Sequence, residues 1–94
     1  MDDDTLDDRR KRMFYQAAHR GMIETDLLLG RFAKVYLPRF TNAQLDTFDV
    51  LLELPDNDII NWRLGRVPVP PEYDTDVMRL LMDFDLVGDM DGLS

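Results

Sequence analysis

An arginine, a glycine and a glutamate at positions 20, 21 and 24 are the residues whose types and spacing best suit chemistry, and that chemistry is recognition. Glycine leaves a turn without a side chain, so another backbone can approach, while Arg20 and Glu24 offer charge-assisted hydrogen bonds on either side. The same residues also suit a plain turn between helices, in which Gly21 takes a positive φ and the two charges favour the adjoining helix ends. The residues alone leave a docking surface and a structural turn equally open.

The other residue types give no pattern that predicts catalysis, a metal site or a stably bound cofactor. The sequence has no cysteine, and its single histidine, His19, next to an arginine at a predicted helix end, is typical of a helix cap. Catalytic carboxylate pairs need an apolar pocket, for which a small helical chain has little room. The five glycines are scattered and form no phosphate-binding loop. We therefore predict that this chain is not an enzyme.

Length and charge predict one acidic domain over residues 1–94. The formal net charge of -8 argues against a general affinity for nucleic acid. The run of cations from Arg9 to Arg12 has three explanations: a solvated helix start neutralised by nearby aspartates, a contact with a protein partner, or a nucleic-acid contact. No apolar run approaches the ~20 residues of a membrane span, so direct membrane insertion is not predicted. The acidic opening is unlike a mitochondrial transit peptide, and the predicted location is the bacterial cytoplasm.

Hydrophobic spacing predicts an all-α fold, a small bundle of about five helices. The helical core is expected at about 5–85, with flexible ends at 1–4 and 88–94. The predicted helices span 5–20, 25–36, 42–54, a short fourth segment around 56–64, and 71–85.

Local signals predict how several of these helices begin and pack. Thr41 and Gln44 form a capping-box pattern at the start of the third helix, and Asp56 or Asp58 is expected to cap the fourth. Trp62 in the fourth helix suits either a core anchor or an interface residue. We expect the core position, in which case Trp62→Ala lowers the melting temperature.

A longer pattern extends the Arg-Gly-Glu turn in the sequence. Residues 20–26 match an RGxxE motif, residues 26–32 read DLLLGRF, and residues 51–62 contain LLE followed by two aspartates and a tryptophan. In this order, over about residues 9–84, the segments resemble the succinate dehydrogenase assembly factors, the flavinylation factors called SdhE in bacteria and Sdh5 in mitochondria. The motif alone is a weak signal, whereas the ordered set in a chain of this size is specific.

The resemblance implies a five-helix protein that binds the flavoprotein subunit of succinate dehydrogenase and promotes covalent attachment of FAD to a histidine of that subunit. It implies fumarate reductase as a further client. The flavin would stay on the partner, because this chain has no dinucleotide fingerprint for a stable FAD site. We expect the free chain to be a monomer. The alternative function is an antitoxin-like module that inhibits a partner toxin, a role to which the family resemblance also extends.

The family's motif residues carry over to this chain as a partner-binding set. Arg20, Gly21 and Glu24 match the motif directly. Three further residues are added because they should lie on or near the same surface: Arg12, Tyr15 and Asp26. If this set is a docking surface, Arg20→Ala and Glu24→Ala should weaken partner binding and leave melting nearly unchanged.

Overall fold

The computed structural model describes the backbone of residues 2–85 and the side chains of residues 7–85. Five α-helices and two 3-10 turns make up this part of the chain, which contains no strand, so the all-α prediction is confirmed. The predicted flexible segment 88–94 lies outside the described residues. The helices are α1 (Asp2–Ala18), α2 (Ile23–Tyr36), α3 (Asn42–Leu52), α4 (Asp56–Arg63) and α5 (Asp76–Asp83), and the 3-10 turns are Leu37–Arg39 and Pro71–Tyr73.

A glycine sets the close packing of α1 against α2. Gly30 is buried in the middle of α2, and a Cβ built on it would lie 3.2 Å from the Cβ of Ala18. The missing side chain therefore lets the two helix backbones approach each other. Met13 and Ala17, on the inner face of α1, are fully buried.

The core is centred on the aromatic ring of Phe32 in α2, which is fully buried. Four other aromatic rings have centroids between 4.8 and 6.1 Å from it, all of them tilted or edge-on rather than flatly stacked: Tyr36, Phe40, Phe48 and Phe84. Such geometries are the favourable ones for aromatic pairs. One side chain thus joins α2 to α3 and to the residue that follows α5.

The helix starts agree with the sequence signals in part. The predicted capping box is confirmed, since Thr41 Oγ1 accepts from the Gln44 amide at 3.2 Å and the Thr41 amide donates to Gln44 Oε1 at 3.0 Å. The predicted cap of α4 is wrong, because Pro55 occupies the cap position and makes no side-chain bond. The fifth helix begins at Asp76 rather than near residue 71, since Thr75 caps it and Pro71 opens a separate 3-10 turn.

The first helix differs from its predicted bounds at both ends. It begins at Asp2 rather than near residue 5, and it ends at Ala18 rather than at residue 20. The flexibility of residues 1–4 stays a prediction. At the end of α4, Gly65 has a φ of 74°, a conformation typical of the glycine that closes a helix.

Two arginines satisfy carbonyl groups at the ends of other helices. Arg10 of α1 donates from Nε to the Leu37 carbonyl at 2.9 Å and from Nη2 to the Phe40 carbonyl at 3.1 Å, just after α2. Arg63 of α4 donates to two carbonyls at the end of α5, those of Met82 and Phe84. The last carbonyls of a helix have no partner within it, so these bonds both complete a helix end and join two helices.

Trp62 lies in the core, as expected from the sequence. Trp62 is 9% exposed, and the centroid of its ring is 5.8 Å from the ring centroid of Tyr73 in the second 3-10 turn. The tryptophan therefore anchors the short helix α4 and the connector that follows it.

We predict that Trp62→Ala lowers the free energy of unfolding by about 3–5 kcal/mol, because it removes a large buried side chain and leaves a cavity. In a chain of this length the melting temperature should fall by more than about 10 °C, measured by circular dichroism. Leu64→Ala is the control, since Leu64 closes the same helix but is 59% exposed. Equal melting temperatures of the two variants would show that Trp62 is not a stabilising core residue.

Candidate protein-docking site

The turn between α1 and α2 carries the glycine of the sequence motif. Gly21 has a φ of 103°, which residues with side chains rarely adopt, so the predicted positive φ is confirmed. A Cβ built on Gly21 would meet no atom within 4 Å. The backbone conformation therefore requires glycine, and the space outside the turn is open to another molecule.

Asp26 holds this turn in place from the first turn of α2. Its Oδ1 accepts hydrogen bonds from the backbone amides of Arg20, at 2.6 Å, and Gly21, at 3.2 Å. A carboxylate is also favourable there because it faces the positive end of the helix dipole. Thr25, fully buried, adds a bond from its hydroxyl to the Met22 carbonyl at 3.1 Å. The turn is thus fixed by side chains of the helix that it introduces.

The side chain of Arg20 points into the protein. Its Nη1 donates to the Leu52 carbonyl at 2.8 Å, its Nη2 donates to the Leu54 carbonyl, and its Nε bonds to Asp56. The Arg20 side chain is only 10% exposed and the Asp56 side chain 23%. The guanidinium therefore completes the end of α3 and ties the α1–α2 turn to the α3–α4 turn.

This geometry argues against one sequence-based expectation about the motif. Removal of the Arg20 side chain was expected to leave melting nearly unchanged, but it would strand two carbonyls and a carboxylate that the arginine now satisfies. Asp56, expected to cap α4, instead pairs with Arg20. Arg20 also lines an open groove, and its contact with a partner stays a prediction.

Glu24 lies on the outside of the same segment. It is exposed in the first turn of α2 and makes no hydrogen bond or ion pair within the described side chains, residues 7–85. Two exposed apolar side chains lie beside it on α2, Ile23 at 74% and Leu27 at 46%. Ile23 and Leu27 were not among the predicted contact residues, although an apolar residue next to a motif glutamate was a usable signal. Together they form a surface that suits a protein contact.

Tyr15 and His19 form a stacked pair on α1 near the turn. Their ring centroids are 4.1 Å apart, and His19 Nδ1 bonds to the Tyr15 carbonyl at 2.9 Å, which confirms the helix-end role predicted for the histidine. Tyr15 is 63% exposed and lines an open groove that Arg20 and Asp56 also reach. Arg12 is exposed about one turn before Tyr15, and no bond joins it to the motif residues.

The run of cations before Arg12 is divided between structural and exposed side chains. Arg9 pairs with Asp46 at 2.6 Å and Asp49 at 3.0 Å, and the hydrogen bonds to these two carboxylates raise the pKa of Arg9. Arg10 binds the carbonyls after α2, whereas Lys11 and Arg12 remain exposed. The observed ion pairs of Arg9 therefore reach α3 and not the aspartates beside it in sequence.

The site can recognise a protein surface by charge, backbone and apolar contact. Among the described residues no group of three or more His, Asp or Glu side chains is placed to hold a metal ion. None of the helices in that range is both long and apolar enough to cross a bilayer.

Comparison with known proteins gives one family. Residues 11–85 match the model of a family described as flavinator of succinate dehydrogenase. The chain is 46% identical over 72 residues to the mitochondrial succinate dehydrogenase assembly factor 2 of Dictyostelium discoideum, which covers 77% of this chain and 51% of that protein. It is 43% identical over 83 residues to the assembly factor 2-A of Drosophila ananassae, covering 86% of this chain and 53% of the relative. The chain thus spans about half the length of the curated relatives that it matches.

The predicted bacterial cytoplasmic location is contradicted by these relatives. They are named mitochondrial proteins, including a relative in Scheffersomyces stipitis that is 42% identical over 84 residues, 85% of this chain and 56% of the relative. The prediction rested on the acidic residues at the start of the chain. Those residues say nothing about the half of each relative that the chain does not match.

We predict that Arg20→Ala lowers the free energy of unfolding by about 2–3 kcal/mol, because it leaves Asp56 and the end of α3 without a donor. Arg20→Lys should lie in between, since an ammonium keeps the charge but lacks the planar fork that reaches three acceptors. Urea denaturation of both variants and of wild type measures the effect.

Arg12→Ala is the matched control for this measurement. Arg12 is exposed, so its removal should change the unfolding free energy by less than about 0.5 kcal/mol. If Arg20→Ala were as stable as Arg12→Ala, the bonds of Arg20 would contribute nothing to the fold.

Proposed function

This chain belongs to the family of succinate dehydrogenase flavinators, and from that premise we propose that it binds the flavoprotein subunit of succinate dehydrogenase and promotes covalent FAD attachment there. The single observation that carries the proposal is the position of Glu24. It is an exposed carboxylate without a partner in the described residues, and it lies next to a glycine turn that Asp26 holds in place. A fixed turn with one free charge suits recognition of another protein, because little ordering is needed on binding.

The motif residues have different roles in this proposal. Glu24 accepts hydrogen bonds from the flavoprotein, and Gly21 leaves room for its backbone to approach. Arg20 and Asp26 position the turn through the bonds described above. Tyr15 and Arg12 extend the contact along α1, where both are exposed.

The chain acts on the reaction without taking part in the chemistry. Binding stabilises the flavoprotein conformation in which the flavin and the groups that react with it are correctly placed. The flavin is attached to the partner, and this chain supplies only binding energy. Fumarate reductase, whose flavoprotein is homologous, is a second client that the same assay can examine.

We predict that Glu24→Gln weakens binding of the flavoprotein about tenfold or more, since loss of a charge-assisted hydrogen bond costs about 1.5–3 kcal/mol. The matching flavoprotein subunit, made with wild type, with Glu24→Gln or with neither, should show strong covalent flavin fluorescence in a denaturing gel only with wild type. The free energy of unfolding of the variant should stay within about 0.5 kcal/mol of the wild-type value, because Glu24 is exposed.

Glu72→Gln is the control, because Glu72 is an exposed carboxylate in the second 3-10 turn, outside the motif. It should give the wild-type fluorescence. Equal fluorescence in all samples, including the one without this chain, would overturn the proposed function, and inhibition of a toxin would be examined next.

A further inference from the structure

An open groove of about 550 Å³ runs along the outside of α1 and α2, and we name it the α1–α2 groove. Phe14, Ala33 and Leu37 line it with apolar atoms, while Lys11 and Lys34 stand at its rim. Phe14 follows the apolar spacing of α1 yet is 40% exposed. The groove therefore offers an uncovered apolar surface between two lysines.

Most cations without a partner in the described residues lie on the helices that form this groove or in the turn after α2, and two of them, Lys11 and Lys34, line the groove. The cations that do bind carboxylates or carbonyls within the protein are Arg9, Arg10, Arg20, Arg63 and Arg79. All the others except Arg66 lie on α1, on α2 or in the 3-10 turn after α2: Lys11, Arg12, Arg31, Lys34 and Arg39. The Nε atom of Arg31 is buried without an acceptor in the described range.

The sequence shows the same separation of charge. Residues 9–45 contain eight of the 11 cationic residues but only two of the 19 acidic ones, Glu24 and Asp26. Asp26 is bonded to the turn. At the other end of the groove Asp7 adds one negative charge. A protein with a net charge of -8 thus carries most of its cations in one stretch of sequence, which favours an acidic partner surface.

One face of α2 leads from the motif towards the groove, whose α2 lining begins at Ala33. Glu24, Leu27, Arg31 and Lys34 are spaced three, four and three residues apart, so they share one face of the helix. With a rise of about 1.5 Å per residue, Glu24 and Lys34 are about 15 Å apart. A stable interface needs about 800 Å² from each partner, far more than one turn can supply. The outer face of α2 adds exposed side chains next to the motif, among them Leu27 and Lys34.

We infer, building on the proposed function, that the α1–α2 groove is a second part of the flavoprotein interface and takes an acidic segment of that subunit. A large apolar side chain of the segment packs on Phe14. The carboxylates of the same segment lie beside Lys11 and Lys34. Charge complementarity selects this occupant, because the groove combines an apolar floor with cations that have no internal partner.

The first test measures the affinity of purified variants for the flavoprotein subunit. Lys34→Glu and Lys11→Glu should each raise Kd about tenfold at low salt, and the difference should shrink as salt is raised. Arg66→Glu is the matched control, an exposed cation away from the groove, and should stay within about twofold of wild type. Lys11 is included because Lys34 lies in the last turn of α2, where reversal of its charge also affects the helix.

The second test replaces Phe14 with the photo-cross-linking residue benzoylphenylalanine. Irradiation with the flavoprotein should give an adduct whose peptide, mapped by mass spectrometry, is rich in aspartate and glutamate. The control carries the same residue at Val67, which is 45% exposed in the connector after α4. It should give no adduct at that segment.

The outcomes separate this inference from the proposed function. If wild type binds and Glu24→Gln does not, but Lys11→Glu and Lys34→Glu both bind like wild type, the groove inference fails and the proposed function stands. An adduct on a segment without carboxylates, or between two copies of this chain, also overturns the inference. If wild type itself does not bind the flavoprotein, both fail.

Discussion

The guanidinium of Arg20 is the contact on which the end of the protein with the candidate docking site depends. It satisfies the carbonyls of Leu52 and Leu54 and pairs with Asp56, so one side chain joins turns that lie more than 30 residues apart in the sequence. Arg10 and Arg63 do the same at two other helix ends. A guanidinium suits this role because it is permanently charged and donates several bonds from one plane. The fold therefore uses arginines where a longer chain has room for further packing layers.

This constraint changes how the motif is understood. Arg20, Gly21 and Glu24 are neighbours in sequence, but the first faces inward, the second shapes the backbone and only the third offers a free charge to solvent. A loss of binding in a motif variant can therefore arise from a displaced turn or from a lost contact. Stability measurements distinguish the two causes, since the bonds of Arg20 predict a loss of stability on its removal and the exposure of Glu24 predicts none.

Features with a local cause were predictable from the sequence, and features set by distant residues were not. The positive φ of Gly21 follows from a helix end, and it was predicted. The pair of Arg20 with Asp56 spans 36 residues, and no local pattern indicates it. The start of the fifth helix was missed although Thr75 gave a usable capping signal, because Pro71 also suited a first turn. The exposure of Phe14 could not be predicted, because apolar spacing shows which face is apolar but not whether it is covered.

The composition of the exposed face bears on how long a complex with this chain should last. Beside Glu24 the surface has two apolar side chains, Ile23 and Leu27, and farther along α2 it has free cations. Permanent complexes usually bury larger and more apolar areas, whereas charged surfaces speed association and select the partner without adding much affinity. An assembly factor has to leave its client once the work is done. A surface of few apolar anchors among charges is typical of complexes that form quickly and dissociate again.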